Sequence, residues 1–281
     1  MFVSYAFFIS IYFYMRKIAE KPLLSIIIVK YRCDQYLNNC LGSIGKNPLW
    51  ETIVSDNDRK NIGYGAGCNK GAVKAKGKYL FFLNPDTLIL GKSLYSMVNF
   101  FEKNAEVATI GPKVYKNKKK ERQLSFCRFP DPLTCVFVYS PLKNLFKSNL
   151  FWNRFVYKKD LDSNKPLEVD AISGAALMIR KSVFDRIGGF DEKFFFYFED
   201  NDLCRRVQKN DGKICYFPKA EVVHFGGKST ENQKTADKYF KESRKYFFKK
   251  NYGLFFGFLT EILIESLEWV SSLKHPTEST S

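Results

Sequence analysis

The chain has 281 residues, 45 % hydrophobic and 17 % aromatic, which suits one large domain or two small ones with a sizeable core and excludes a disordered composition. Its formal net charge of +16 calls for an anionic partner: nucleic acid, an anionic membrane surface or a phosphorylated substrate. Seven cysteines, an odd number without a Cys-x-x-Cys pair, read as free thiols in a reducing compartment and argue against a zinc site.

The first fourteen residues, MFVSYAFFISIYFY, carry no charge and are too few to span a bilayer as a helix. They read either as a membrane contact or as an artefact of start-site choice, with translation beginning at Met15; residues 1–20 are set aside as an extension. Leu24 to Val29, LSIIIV, reads as a buried parallel strand. Asp34 to Ile44 has apolar residues at helical spacing, and Trp50 to Ser55 is a second strand. A short helix over Lys70 to Ala75, a strand over 79–83, a helix over Lys92 to Asn104 and a strand over Val107 to Ile110 follow. Strands alternating with helices imply an α/β fold with a mostly parallel central sheet flanked by helices. From Tyr115 to Asn164 the periodicity dissolves. It returns over Val169 to Ile179, in helices near 181–187 and 200–210, and in a strand over Ile214 to Phe217. Two C-terminal helices close the chain: a lysine- and aromatic-rich one over Lys234 to Lys250, and an apolar one over Phe255 to Leu273. The second has Gly257, Glu261, Glu265, Glu268 and Ser272 on one face, so it is amphipathic.

Four clusters carry chemistry. Asp56-Asn57 ends the second strand, where a carboxylate can accept a hydrogen bond from a nucleotide base or ribose. In Asn61-Ile-Gly-Tyr-Gly-Ala-Gly-Cys-Asn69, glycines 63, 65 and 67 let backbone approach a ligand, and a helix N-terminus just after them favours a diphosphate. Asn84-Pro85-Asp86 stops an apolar strand, because proline cannot continue a central ladder, and leaves one carboxylate where open α/β sheets bind ligands. Glu199-Asp200-Asn201-Asp202 sets three acids in four residues, an arrangement that caps a helix, binds a metal or shares a proton. Asp202 fits the first helical turn; Glu199 or Asp200, facing the cleft, suits a general base. The small residues around Gly174, and His224, one of two histidines, ahead of two glycines, complete the set.

In this order, LSIIIVKYR, IVSDN, NIGYGAGCNKG, FFLNPDT, SGAALMIRKSVFDRIGGFDEKFFFYFEDNDLCRRV and HFGGKS closely resemble the inverting family 2 glycosyltransferases, most of all the rhamnosyltransferase-like branch of bacterial surface-polysaccharide synthesis. The resemblance implies a GT-A fold over 21–252, with a nucleotide-sugar half over about 21–112, an acceptor half over about 113–252, and the amphipathic helix and polar tail over 253–281. It implies Asp56 and Asn57 at the nucleotide, and Gly63, Tyr64, Gly65 and Asn69 along the sugar nucleotide. It also implies Asp170 near the donor or acceptor sugar, Gly174 in the donor site, Asp86 as the last acid of an Asp-x-Asp metal motif with Asn84 in place of its first, and His224 near the metal, Mg²⁺ or Mn²⁺. Asp200 is implied as catalytic base, with Glu199 beside it. The implied donor is a dTDP- or UDP-sugar, the acceptor a glycan or lipid-linked oligosaccharide, and the place of work the cytoplasmic face of the plasma membrane, held peripherally.

One departure stands out: only Asp58, Arg59 and Lys60 separate IVSDN from NIGYG, where the family usually has a helix and a strand, so the sheet is expected to be narrower there. That loss leaves room for a catalytically impaired relative that binds a nucleotide sugar and acts as a scaffold. A nucleic-acid module is disfavoured, because acids gathered at strand ends repel phosphate and no nucleic-acid motif is present. A sugar nucleotidyltransferase would carry a glycine-rich loop after the first strand, where this chain has VKYRCDQYL.

Overall fold

The computed structural model describes residues 21–144, 150–226 and 232–274, so both readings of the first twenty residues lie outside the described residues. Strand β1 (Leu24–Lys30) is followed by α1 (Asp34–Ile44), β2 (Trp50–Asp56), α2 (Tyr64–Ala72), β3 (Tyr79–Leu83), β4 (Thr87–Leu90), α3 (Ser93–Lys103) and β5 (Val107–Tyr115). Short strands β6 (Arg122–Gln123) and β7 (Phe126–Cys127) lead to α4 (Pro132–Tyr139) and α5 (Leu150–Phe155). Then come β8 (Leu167–Glu168), β9 (Ala171–Ile172), β10 (Ala176–Arg180), α6 (Lys181–Arg186), α7 (Glu199–Gln208), β11 (Lys213–His224) and the helical segment α8 (Gln233–Lys274), which breaks at Gly253.

The central sheet is mixed and mostly parallel, in the order β2-β1-β3-β10-β5-β11-β4. Strands β2, β1 and β3 run parallel, as do β5 and β11, while β10 runs antiparallel between β3 and β5. Strand β2 forms one edge, as expected where the family's extra strand is missing. The period-2 alternation of β1 feeds two cores. Leu24, Ile26 and Ile28 pack with α1 and α3; Ile27 and Val29 pack with α2 and α7.

Three expectations change. The helix expected at Lys70 begins six residues earlier, inside the glycine cluster, and the reason is packing. A Cβ on Gly67 would lie 2.7 Å from Val29 Cγ1, and one on Gly71 would lie 2.5 Å from Ile27 Cγ2, so these glycines bring the helix onto β1. After Asp86 comes strand β4, four residues too short to announce itself by period. The aperiodic stretch 115–164 contains α4, whose Asp131 caps the Thr134 N–H, and α5.

Candidate active site

Strand β3 ends at Leu83, and the chain turns through Asn84-Pro85-Asp86 into β4 at the far edge of the sheet. Strand β4 pairs antiparallel with β11 so that Thr87 faces His224. That register brings together two residues 138 positions apart in sequence: His224 Nε2 lies 3.3 Å from Asp86 Oδ1 and 3.2 Å from Asn84 Nδ2. Asp86 is only 3 % exposed. Gln123, on β6, reaches His224 Nδ1 at 2.9 Å. When the Gln123 amide donates to Nδ1, the ring proton sits on Nε2 and is donated to Asp86. With the amide turned over, its oxygen accepts from Nδ1–H, and Nε2 keeps a lone pair that accepts from the Asn84 side-chain N–H.

Strand β10 pairs with β3 with Ala176 opposite Leu83, which sets Gly174 and Ala175 beside Asn84. Tyr64 donates its hydroxyl proton to the Gly174 carbonyl at 2.6 Å, and the Gly174 N–H donates to Asp200 Oδ2 at 2.9 Å. A Cβ at position 174 would sit slightly tight against Tyr64, at 3.3 Å, and in ordinary contact with Asp200, at 3.5 Å. Burial keeps the Tyr64 phenol protonated, its pKa held well above the ordinary value.

The acidic motif opens α7. Tyr197 and Phe198, just before it, both have positive φ, +71° and +64°. Two bulky residues in the left-handed region are costly and persist where the surrounding structure enforces them, as it often does at functional sites. The turn separates the two carboxyls. Glu199 is buried and its Oε2 has no hydrogen-bond partner. Burial, and then the neighbouring Asp200 charge, push its pKa well above the ordinary carboxyl value. Burial raises Asp200 too, but the Gly174 N–H and both the backbone and side-chain N–H groups of Asn201 oppose the shift. Of the pair, Glu199 is pushed the harder toward its neutral form, because only Asp200 has N–H donors from other residues that favour the carboxylate. Asp202 faces away; it is buried in ion pairs with Arg206 at 2.8 Å and Lys250 at 2.6 Å.

Asn84, Asp86, Gly174, Glu199, Asp200 and His224 share one cavity of about 270 Å³ with Tyr64. A second cavity, of about 110 Å³, is lined by Val29, Tyr31, Asn57, Gly63 and Tyr239 among others, and Tyr64 and Asn84 border both. Asn57 is 1 % exposed; its Nδ2 donates to the Gly63 carbonyl at 3.1 Å, and its Oδ1 is buried without a partner.

Four expected residues are placed outside both cavities. Asp56 is exposed and accepts the Asp58 N–H. Gly65 packs on Phe190 and Glu199. The Asn69 amide ties down the loop at Phe190 and Glu192. Asp170 accepts from the Phe129 N–H and the Tyr157 hydroxyl. The sequence reading missed the aromatic walls, among them Tyr139, Phe196, Tyr197, Tyr239 and Phe240, and it missed Gln123. The run FFFYF at 194–198 was a visible signal for part of that wall; the helix face carrying Tyr239 and Phe240 had none.

Among the described residues no group of three or more His, Cys, Asp and Glu forms a metal cluster. The donors are one carboxylate, one imidazole and one amide. A divalent cation held by these three groups would need further oxygen ligands from outside the protein.

The sequence profile described as Glycosyl transferase family 2 matches residues 57–188, and the one described as N-terminal domain of galactosyltransferase matches 157–228. The N-acetylglucosaminyl-diphospho-decaprenol L-rhamnosyltransferase of Mycobacterium tuberculosis is 38 % identical over 84 residues, covering 28 % of this chain and only 27 % of that protein's length. Rhamnosyltransferase WbbL of Escherichia coli is 25 % identical over 230 residues, 72 % of this chain and 83 % of that protein. A crystal structure of GalNAc-T7 with UDP, GalNAc and Mn²⁺ superposes with a TM-score of 0.54 at 14 % identity, over 91 % of this chain and 58 % of that one. The S. aureus TarS 1–349 structure gives 0.51 at 14 % identity, over 91 % and 75 %. The mixed sheet, its strand-end site and these likenesses agree: the chain has the GT-A fold and is similar to the family 2 glycosyl transferases over residues 57–188.

Proposed function

We propose that the protein transfers a sugar from a nucleoside-diphosphate donor to a hydroxyl of a glycan or lipid-linked oligosaccharide, with inversion at the anomeric carbon. One observation carries the reading. A partly exposed carboxylate, Asp200, shares a cavity with Asp86 and His224, and a narrower cavity with an unpartnered acceptor adjoins it across Asn84. The nucleoside fits the narrower cavity. There Asn57 Oδ1 accepts an N–H from the base, and the contact implied for Asp56 passes to its neighbour. The diphosphate crosses at Asn84, and the sugar enters the larger cavity. Asp86, His224 and Asn84 would hold a divalent cation, Mg²⁺ or Mn²⁺, whose charge offsets that of the departing diphosphate.

Asp200 takes the proton of the acceptor hydroxyl as its oxygen bonds to the anomeric carbon. The bond to the diphosphate breaks on the opposite face, and configuration inverts. Glu199, kept neutral by burial, leaves Asp200 as the single negative charge at that point of the wall. Rhamnose is the sugar in the relatives' names, and we assign it as donor sugar on deoxythymidine or uridine diphosphate. An acceptor carried on lipid puts the work at the cytoplasmic face of the plasma membrane.

The test is thermal stabilisation by a panel of nucleoside diphosphates with and without Mn²⁺ or Mg²⁺, followed by turnover with the nucleotide that binds. A ligand at about 100 times its dissociation constant should add about 2.7 kcal/mol of stability. The reading expects one base to stabilise in a metal-dependent way that Asp86→Ala abolishes. Binding without turnover would favour a scaffold that has kept only the donor site; no stabilisation by any nucleotide would refute the donor assignment.

A further inference from the structure

The C-terminal segment α8 is a helical hairpin whose polarity is inverted. Gly253, at φ +85°, breaks the helix and lets the second half fold back on the first. The close approach is at Gly257, where a Cβ would meet the Lys249 backbone at 2.9 Å. Beyond it the polar residues of the second half turn inward. Glu261 holds Arg244 through two hydrogen bonds of 2.8 Å, with the two side chains 8 % and 1 % exposed. Glu265 pairs with Lys245 at 2.6 Å, and Glu268 with Lys241 at 2.7 Å. Thr260 and Ile264 are buried between these ion pairs.

That clamp fixes the rotation of the helix and turns its apolar face to solvent. Phe255, Phe258, Leu259, Ile262 and Val270 are all exposed, Phe255 and Phe258 at 72 % and 70 %. Trp269, at 65 %, lies on the same helix face, two turns beyond Ile262. Taking about 150–250 Å² for each aromatic side chain, these three rings alone leave roughly 300–500 Å² of apolar surface in water. The aliphatic residues add to that, and patches of this size mark interaction surfaces. No helix among the described residues is long and apolar enough to cross a membrane, so this one can only lie along a surface.

We infer that this face docks the protein in the plane of an anionic lipid bilayer. The charge decides between a bilayer and a second copy of the chain: at +16 two copies repel each other, while an anionic leaflet attracts. Lys249 is exposed at the crossing of the hairpin. Apolar insertion and basic attraction are together the two signals that stable attachment needs. The polar side of the hairpin, opposite the docking face, runs toward the cavity that holds Asp200. A neighbouring hollow of about 550 Å³ shares Tyr139, Tyr197 and Phe240 with that cavity and reaches Glu268, one residue from Trp269. A lipid-linked acceptor lying in the same leaflet would have its sugar end near this opening. That last step rests on the proposed glycosyl transfer; docking itself does not.

The experiment is flotation of the full chain with vesicles of pure phosphatidylcholine and of phosphatidylcholine with phosphatidylglycerol, for the wild type and for Phe255→Gln/Phe258→Gln/Ile262→Gln. All three positions are exposed, so the variant should keep the wild-type urea midpoint, which is measured alongside. The expected result is flotation with the anionic vesicles, weakened by 0.5 M salt, and at least a tenfold loss of partitioning in the variant. Trp269 fluorescence should shift to the blue on vesicle addition, and Trp269→Phe should remove that shift. Docking by this face is overturned if the wild type does not float, or if the variant floats equally well. It is also overturned if the wild type is a dimer in buffer that the variant converts to monomers. Vesicle binding without nucleotide binding would retain this inference and refute the proposed function, so the two fail separately.

Discussion

Glu199→Gln separates the two carboxyls of the acidic motif. Glu199 is buried, its Oε2 lacks a partner, and its pKa stands well above the ordinary 4.5. Unfolding releases it to ionise at the ordinary value, so between 4.5 and the folded pKa the unfolded state binds fewer protons than the folded one. The sign follows: Glu199 costs the fold nothing below pH 4.5, then removes about 1.4 kcal/mol of stability for each pH unit up to its folded pKa, and a constant amount above it. Glutamine keeps the shape and cannot ionise. Urea unfolding of both proteins at pH 5, 6, 7 and 8 should show the variant gaining on the wild type as pH rises, with a slope no steeper than that figure. Any fixed cost of the new amide shifts all four points equally and leaves the slope intact. Turnover at neutral pH should stay within a few-fold of the wild type, because the replaced group was already neutral. A stability difference that is flat or shrinking with pH would refute the assignment of Glu199 as a protonated carboxyl. A loss of turnover equal to that of an Asp200 variant would refute the division of roles.

Asp200→Ala should lower turnover about 10²- to 10⁴-fold, the usual worth of a general base, while nucleotide binding by calorimetry stays near wild type. Because burial raises the Asp200 pKa, the acid limb of the pH–rate profile should lie above the ordinary carboxylate range, and a limb within that range would contradict the site. Gln123→Leu removes the partner of His224 Nδ1 and should weaken Mn²⁺ binding, read in the presence of nucleotide, by about 10- to 100-fold; an unchanged affinity would detach His224 from the metal. Gly63→Ala forces a Cβ to 2.5 Å from the Phe195 carbonyl oxygen at φ +88°; it should cost about 1–3 kcal/mol or more in urea unfolding and impair nucleotide binding. Arg244→Met strands the buried Glu261 carboxylate and should cost about 3–5 kcal/mol, most of it recovered in Arg244→Met/Glu261→Met; equal losses in the single and double variants would refute a buried pair as the clamp of the hairpin.

The elements that were legible in the sequence are those whose signal is local. The run LSIIIV is apolar on both faces because β1 is covered on both, and Asp34–Ile44 shows the 3.6-residue period of a helix lying on one core. Proline at 85 announced the strand end that opens the site. The glycine cluster misled the local reading, because glycine serves close helix–sheet packing as well as ligand approach, and its spacing does not distinguish the two. The tail helix was legible as amphipathic, but which face it buries depends on what packs against it.

Residues a few positions apart carry the resemblance to the family 2 glycosyltransferases, the alternation of strands and helices, and the acids that end strands or open a helix. Which of those acids meet depends on long-range pairing. The β4–β11 register sets His224 against Asp86, the β3–β10 register carries Gly174 to Asp200, and the start of α7 puts both Glu199 and Asp200 on the cavity wall, with N–H donors from other residues for Asp200 alone. The physical reason is one of range: period and turn chemistry act over a few residues, whereas register and burial are set by pairings across more than a hundred.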